Sequence, residues 1–504
     1  MAISSFDHST SLIKSVCEST PYPEVCFLSS QKISVSSENS YNNVNILVQS
    51  LNVAVTEANK VYNMLLTSTD DNIQEELMGT IQDCKELYEI TISSLNEGIV
   101  QLNTSSSSND LTDISSLLAA AATNTDTCLE ELEFTSGPLK PLLNDTINAA
   151  YEPLLNSLSL ISDENPYSIT MSTKGIDWLF EQKDTNNIDY VNTLTVAKDG
   201  SGNFTTITDA INFAPNDSVS KVLIYVKAGL YEEYVVIPKN KPNIVLRGEG
   251  KDVTQISGSR NMIDHWATYR SATVCVSGKG FMARDIGFHN VAGPEKEQAV
   301  ALRVNSQYSA FYRCTISGYQ DTLYAHSFTQ FYRECDIYGT IDFIFGNAAV
   351  VFQKCNIITR MPMPDQHITV ITAQSRKHLI TKTGMAFKNC SISASEELLD
   401  SSNGLVKSYL GRPWRSYARV VFIESYLDGF IDPEGWVSWP NKGGLDTVYY
   451  GEYGNSGPGS DLNGRVNWTG HHVMDSNEAS SFNVSNFIKG EHWLVAASVP
   501  YDDN

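Results

Sequence analysis

Two hydrophobic periodicities divide the chain. Over residues 41–66 the apolar side chains Val44, Leu47, Val48, Leu51, Val55, Tyr62 and Leu65 form a helical stripe, which predicts an amphipathic helix. A second run behind Asp70 and Asp71 carries Ile73, Leu77, Ile81, Cys84, Leu87, Tyr88, Ile92 and Leu95. Asp110 and Asp113 are candidate N-caps for a third, alanine-rich helix over 114–132. Pro138 and Pro141 end it, and 142–160 predicts a fourth helix, kinked at Pro153. Four helices joined by polar turns predict an all-α four-helix bundle over residues 1–160. A polar linker follows over 161–192, with Trp178, Leu179 and Phe180 as its one expected buried anchor.

From residue 193 to 504 the pattern shortens to β-rich runs such as 222–226 and 243–246. Phe281, Phe311, Phe331, Phe352 and Phe387 each lead a short segment of alternating apolar positions, at steps of 30, 20, 21 and 35 residues. A unit near twenty residues with insertions predicts a parallel β-helix or similar solenoid, whose coils gain a core by stacking. The leucine/asparagine consensus of a leucine-rich horseshoe is missing.

Charge sharpens the boundary. The chain has 504 residues and a net charge of −23. Residues 1–190 hold 27 acidic side chains against 7 lysines and no arginine, so nearly all of that charge sits on the helical part. Binding of nucleic acid through a basic surface is not expected, and no run approaches the roughly 18 apolar residues of a membrane span. The opening residues, MAISSFDHSTSLIK, show no apolar signal-peptide core. Seven Asn-x-Ser/Thr sequons lend mild support to a secreted glycoprotein.

None of the nine cysteines shows the CxxC spacing of a zinc or redox site, so no metal is expected. Cys17, Cys26, Cys84 and Cys128 suit two staples in an oxidised bundle. Cys314 and Cys335 fall on neighbouring coils, about 4.8 Å apart in the stacking direction, and are disulfide candidates. Cys355 and Cys390 occupy equivalent positions, so the pairing stays open. A ladder of buried thiols is the alternative.

Chemistry gathers on one phase of the repeat. Gln298, the pair Gln320 and Asp321, and Asp342 recur at 22 and 21 residues, which places two acids and two amides above one another. Carboxylates about 5 Å apart do not both ionise easily, so one becomes a protonated acid beside an ionised nucleophile. Such spacing also suits a retaining glycosidase. The glutamines favour ester chemistry, because amide donors can hold the oxyanion of a tetrahedral intermediate. Arg412 and Trp414, in LGRPW, add a carboxylate partner and a flat stacking surface.

Two resemblances follow from these strings. IKSVCESTPYPEVC, IQDCKELYE and AAAATNTDTCLEELE resemble the cysteine-bearing signatures of the plant invertase and pectin methylesterase inhibitor family, a helical bundle with no catalytic machinery. AKDGSGNFTTITDAI, GFMARDIGFHN, GPEKEQAVALR, SAFYRCTISGYQDTLYAHS, FYRECDIYGTIDFIFGNAAVVFQKC, YLGRPW and LDTVYYGEY resemble the plant pectinesterases, in family order. The second resemblance implies an all-β right-handed parallel β-helix that hydrolyses galacturonate methyl esters of pectin without cofactor.

Residue by residue, it implies Asp342 as nucleophile and Asp321 as acid/base. It further implies Gln298 and Gln320 as anion-hole amides, Arg412 as the residue orienting the nucleophile, and Trp414 and Thr268 as substrate contacts. The bundle would be autoinhibitory. Pectin and inhibitor-family proteins are the expected partners, a monomer the expected state, and the cell wall the expected location. The resemblance also implies a paired-arginine processing motif before the catalytic domain, yet this stretch carries only the isolated Lys174, Lys183 and Lys198.

Overall fold

The computed structural model describes residues 13–31, 43–67, 75–104, 108–137, 139–162, 165–166, 192–401, 405–440 and 443–503. The chain divides into two compact units, one of residues 1–181 together with 380–382, the other of 182–379 and 383–504. Trp178, Leu179, Phe180 and Ile73 lie outside the described residues.

The first unit is helical: α1 (Pro23–Ser30), α2 (Asn43–Thr67), α3 (Glu75–Thr104), α4 (Ser108–Glu133) and α5 (Leu139–Leu160). The last four pack as a bundle, α3 against α2 and α4, and α5 against α2 and α4. The buried seam of α2 is Leu47, Leu51, Ala54, Ala58, Val61 and Leu65, while Val55 and Tyr62 are only half-buried. Alternating steps of four and three keep this seam facing its neighbours, and its alanines allow close approach. The third helix is longer than its apolar pattern predicts. It begins at Ser108, so Asp110 and Asp113 lie in its first turns rather than capping it. Pro141 belongs to the first turn of α5, where its missing N–H has no helical acceptor to lose. Disulfides join Cys17 to Cys26 and, across α3 and α4, Cys84 to Cys128.

The second unit is a parallel β-helix. Each full coil sends one strand to each of three sheets, which contain 11, 8 and 7 strands among the described residues. Strands Ser309–Tyr312, Thr315–Ser317 and Leu323–Ser327 form one such coil. Its interior is a column of rings: Phe311, Tyr332, Phe352, Phe387 and Phe422 stack with centroids 4.7, 4.9, 4.6 and 4.7 Å apart. The register pairs Phe311 with Tyr332, so Phe331 stands on the opposite face, opposite Ala310 and Val351. Strand period two makes a one-residue difference in phase a change of face, which corrects the repeat assignment at that coil.

The disulfide candidate on the coils is also corrected, in favour of the ladder of buried thiols. Cys314, Cys335, Cys355 and Cys390 are all buried free thiols, so the candidate Cys314–Cys335 disulfide is not formed. Each follows a left-handed residue at a coil corner (Arg313, Glu334, Lys354 and Asn389). There the Cys335 Sγ reaches the carbonyls of Phe311 and Arg333 at 3.5 and 3.3 Å, and Cys355 repeats the arrangement. The ladder thus satisfies its thiols against backbone. Cys275 is a fifth buried thiol.

Candidate active site

The chemistry-bearing residues occupy the corner between the second and third sheets. Leu302, Leu323 and Ile344 are in register on successive third-sheet strands. Asp321 and Asp342 each lie two residues before that line and are therefore one coil apart. Gln298 lies four before it, offset by two positions, yet Ala299 N–H donates to the Gln320 carbonyl at 3.2 Å and keeps the two glutamines on adjacent turns. Asp321 and Asp342 have φ of +61° and +50°. A short polar side chain tolerates that left-handed region better than most, which suits aspartate to these corners.

Arg412 comes from the next turns of the same sheet, immediately after strand Lys407–Gly411. Its Nε and Nη2 donate to Asp342 Oδ1 and Oδ2 at 2.8 and 2.7 Å, a two-pronged charge-assisted pair between nearly buried groups. The pair favours the ionised carboxylate. Gly411 is needed for the approach. A Cβ there would stand 2.1 Å from Thr372 Oγ1.

Asp321 is in the opposite situation. It is 9 % exposed, and burial, reinforced by the negative charge of Asp342, raises its pKa well above the usual carboxylate range; Arg412 offsets this only in part. One acid is thus held charged by a guanidinium while its neighbour is driven toward the neutral form. Gln298 Oε1 is buried with no hydrogen-bond partner among the described residues. Amide oxygen and nitrogen interchange by a simple flip, so the end of this side chain is uncommitted and open to a ligand.

Thr268 opens a 3-10 turn, Thr268–Arg270, whose carbonyl accepts from Ser271 Oγ at 2.9 Å. Ser271 Oγ accepts from Val300 N–H at 3.1 Å, which ties Thr268 to the Gln298 segment. Trp414 lies against Phe345 at 6.0 Å between centroids, and Phe345 stacks on Tyr324 at 4.1 Å. Tyr324 and Phe345 belong to the strands that follow Asp321 and Asp342.

Two further contributors were not apparent from sequence. The Trp439 ring covers the Arg412 guanidinium, 4.1 Å from Cζ to centroid. Gly411 forms a parallel bridge with Trp436, which places Trp439. Trp436 is anchored through Nε1 to buried Glu452 at 3.2 Å. Arg465 clasps the same carboxylate at 2.8 and 3.0 Å, and His471 meets it at 3.2 Å. Burial raises the Glu452 pKa, but the hydrogen bonds from His471 and Arg465 outweigh it and leave it lowered. The motifs LGRPW and LDTVYYGEY signalled Arg412 and Glu452, but Trp439 lies between them in neither and is tied to Arg412 by no periodicity.

Comparison with known proteins follows the same division. The sequence model of the pectinesterase family matches residues 193–491, and that of plant invertase/pectin methylesterase inhibitors matches 11–160. The chain is 51 % identical over 98 % of its length to Arabidopsis thaliana probable pectinesterase/pectinesterase inhibitor 12, covering 94 % of that protein. It is 42 % identical to the Prunus persica pectinesterase/pectinesterase inhibitor PPE8B, with 84 % of this chain and 83 % of that one covered. Among solved structures, carrot pectin methylesterase superposes with a TM-score of 0.61 at 45 % identity, covering 63 % of this chain and 99 % of that one. The Aspergillus niger pectin methylesterase gives 0.52 at 36 % identity, covering 60 % and 94 %.

Proposed function

Since this chain belongs to the pectinesterase family and is a carboxylic ester hydrolase, we propose that Asp342 is its nucleophile and Asp321 its general acid and base. The substrate is the methyl ester of galacturonate units in pectin. The observation that carries this reading is the contrast between two neighbouring carboxyls, one forked by Arg412 and the other pushed toward protonation.

The Asp342 carboxylate attacks the ester carbonyl carbon, and the amides of Gln298 and Gln320 hold the oxyanion that forms. Collapse breaks the bond to the methoxy oxygen while Asp321 delivers its proton, so methanol departs neutral. The resulting acyl-enzyme anhydride is then opened by a water whose proton returns to Asp321. Products are methanol and a free galacturonate carboxylate. Arg412 orients Asp342 throughout, with Trp414 and Thr268 against the sugar chain.

The bundle acts as an internal inhibitor of the catalytic unit, with the boundaries 1–160, 161–192 and 193–504. Inhibitor-family proteins are its external counterparts, the enzyme is a monomer, and its place of action is the cell wall. The test is methanol release from methylated pectin, with new reducing ends measured in parallel, by the full chain and by residues 193–504. Methanol without new ends is expected, with more from the shorter form. New ends would mark a glycan-cleaving enzyme.

A further inference from the structure

Arg412 fixes the Asp342 carboxylate directly, whereas Asp321 has no such clamp. Among the described residues no side chain hydrogen-bonds to the Asp321 carboxyl or to the Gln320 amide. Their placement therefore depends on the turn 318–321 that carries them. Backbone ties that turn to the next coil. Gly318 N–H donates to the Tyr338 carbonyl at 3.3 Å, Asp321 N–H donates to the Ile341 carbonyl at 3.1 Å, and Thr340 N–H donates to the Tyr319 carbonyl at 2.9 Å.

Arg360 braces the same turn from two coils away. It follows strand Asn356–Thr359, whose Thr359 is in register with Gly339, while Tyr338 is in register with Ser317. Gly318, Gly339 and Arg360 thus stand one above another on three successive coils. Arg360 N–H donates to the Gly339 carbonyl at 2.7 Å. The guanidinium reaches past that coil, donating through Nη1 to the Gly318 carbonyl at 2.9 Å and through Nη2 to the Tyr319 hydroxyl at 2.7 Å. Its Cζ lies 3.8 Å from the centroid of the Tyr319 ring. Gly339 lets the middle coil pack flat beneath, since a Cβ there would stand 2.8 Å from the Tyr319 carbonyl oxygen. Among the described residues Arg360 makes no ion pair, so its donors are spent on the turn. A planar fork can hold a carbonyl and a hydroxyl together, which the point charge of a lysine cannot. The charges that act on Asp321 are those of Asp342 and Arg412, so the influence of Arg360 on the acid is geometric.

We propose that Arg360 is the positioning residue for the acid half of the site: by clasping Gly318 and Tyr319 it holds Gln320 and Asp321 in place against Asp342. This rests on the pectinesterase reading, with Asp321 as acid and base, and extends it to a residue that acts through the backbone of the turn. Each carboxyl then has its own arginine, Arg412 gripping one directly and Arg360 gripping the chain that carries the other.

The experiment follows methanol release from methylated pectin across pH by the full chain and its variants, with melting curves recorded in parallel. Arg360→Met keeps most of the stem and removes both donors. It should lower kcat about tenfold with a smaller change in KM, as a slightly displaced catalytic group would. A loosened turn also admits water to Asp321 and relieves the burial that raises its pKa. A general acid must be protonated, so kcat/KM falls as pH rises through that pKa, and in Arg360→Met the falling limb should move to lower pH. Tyr319→Phe removes one of the two acceptors and should move the limb the same way by less. Lys251→Met, which breaks the ion pair with Asp336 away from the turn, should leave the limb in place. A loss confined to KM, an unmoved limb in folded Arg360→Met, or an equal shift in Lys251→Met overturns the proposal. If Arg360→Met does not fold, an unmoved limb in Tyr319→Phe overturns it. Absence of methanol release by the unsubstituted chain would instead remove the pectinesterase reading.

Discussion

The Trp439 ring lies over the guanidinium of Arg412, 4.1 Å from Cζ to centroid, on the group that forks Asp342. The clamp on the proposed nucleophile is therefore itself clamped, by a residue on a separate segment bridged through Trp436 to Gly411. Removal of the ring should loosen the fork without removing it. Trp439→Ala is expected to lower kcat about tenfold with a smaller change in KM, as a 1.4 kcal/mol loss of preorganisation would. Trp439→Phe should restore most of it. Equal loss in both variants would show that the indole acts by another route.

Asp342→Asn should abolish methanol release, since an amide cannot form the acyl-enzyme. Asparagine also tolerates the left-handed backbone that position 342 requires. Loss of activity with an unaltered melting curve therefore isolates chemistry from folding. Substantial turnover by the folded variant would refute the mechanism.

Gln298→Ala should raise the barrier by roughly 2.7–4 kcal/mol, the range seen when one oxyanion donor is removed. A steady-state comparison of kcat on one pectin sample measures it, and a change confined to KM would reassign Gln298 to substrate binding.

Asp321 carries a pH signature. Its folded pKa is raised by burial and by Asp342, so below the unfolded value of about 3.9 both states are protonated and nothing is lost. As pH rises through the folded pKa, the native state must hold a second charge and wild type loses stability. Asp321→Asn never ionises there. Its melting temperature should therefore gain on wild type as pH is raised from about 4, and a difference constant with pH would show that the carboxyl is not perturbed.

The stretch before the catalytic unit has no adjacent basic pair, only Lys174, Lys183 and Lys198. A processing protease that reads paired arginines should cut it poorly, leaving fused chains in native tissue. Mass spectrometry decides. A mature N-terminus between residues 165 and 195 in nearly all molecules would show that removal does not need the pair.

Much of this was legible in the residues. The change from a helical to a coil-length period separated the two units, and the steps between Gln298, Asp321 and Asp342 brought the site into one corner because coil length is nearly constant there. What escaped was set by close packing. The α2 seam runs through Ala54 and Ala58, too small to mark a stripe, and Phe331 looks equivalent to Phe311 until backbone register assigns that place to Tyr332. The thiol ladder looked bridgeable because spacing alone cannot distinguish a stacked pair from a bonded one. Trp439 and Glu452 act through contacts across coils, where no fixed interval ties a residue to its partner.

The coil-by-coil origin of the active centre separates chemistry from reach. Asp321 and Asp342 come from consecutive turns of one spiral and Arg412 from two turns further on, so their spacing is tied to the rise between layers. Layers added or lost at either terminus would leave that spacing untouched while changing how long a stretch of polymer the outer wall can contact. A layer inserted between Asp321 and Asp342 would disconnect the proposed acid from the proposed nucleophile. In this architecture, footprint is free to vary and the spacing of Asp321, Asp342 and Arg412 is not.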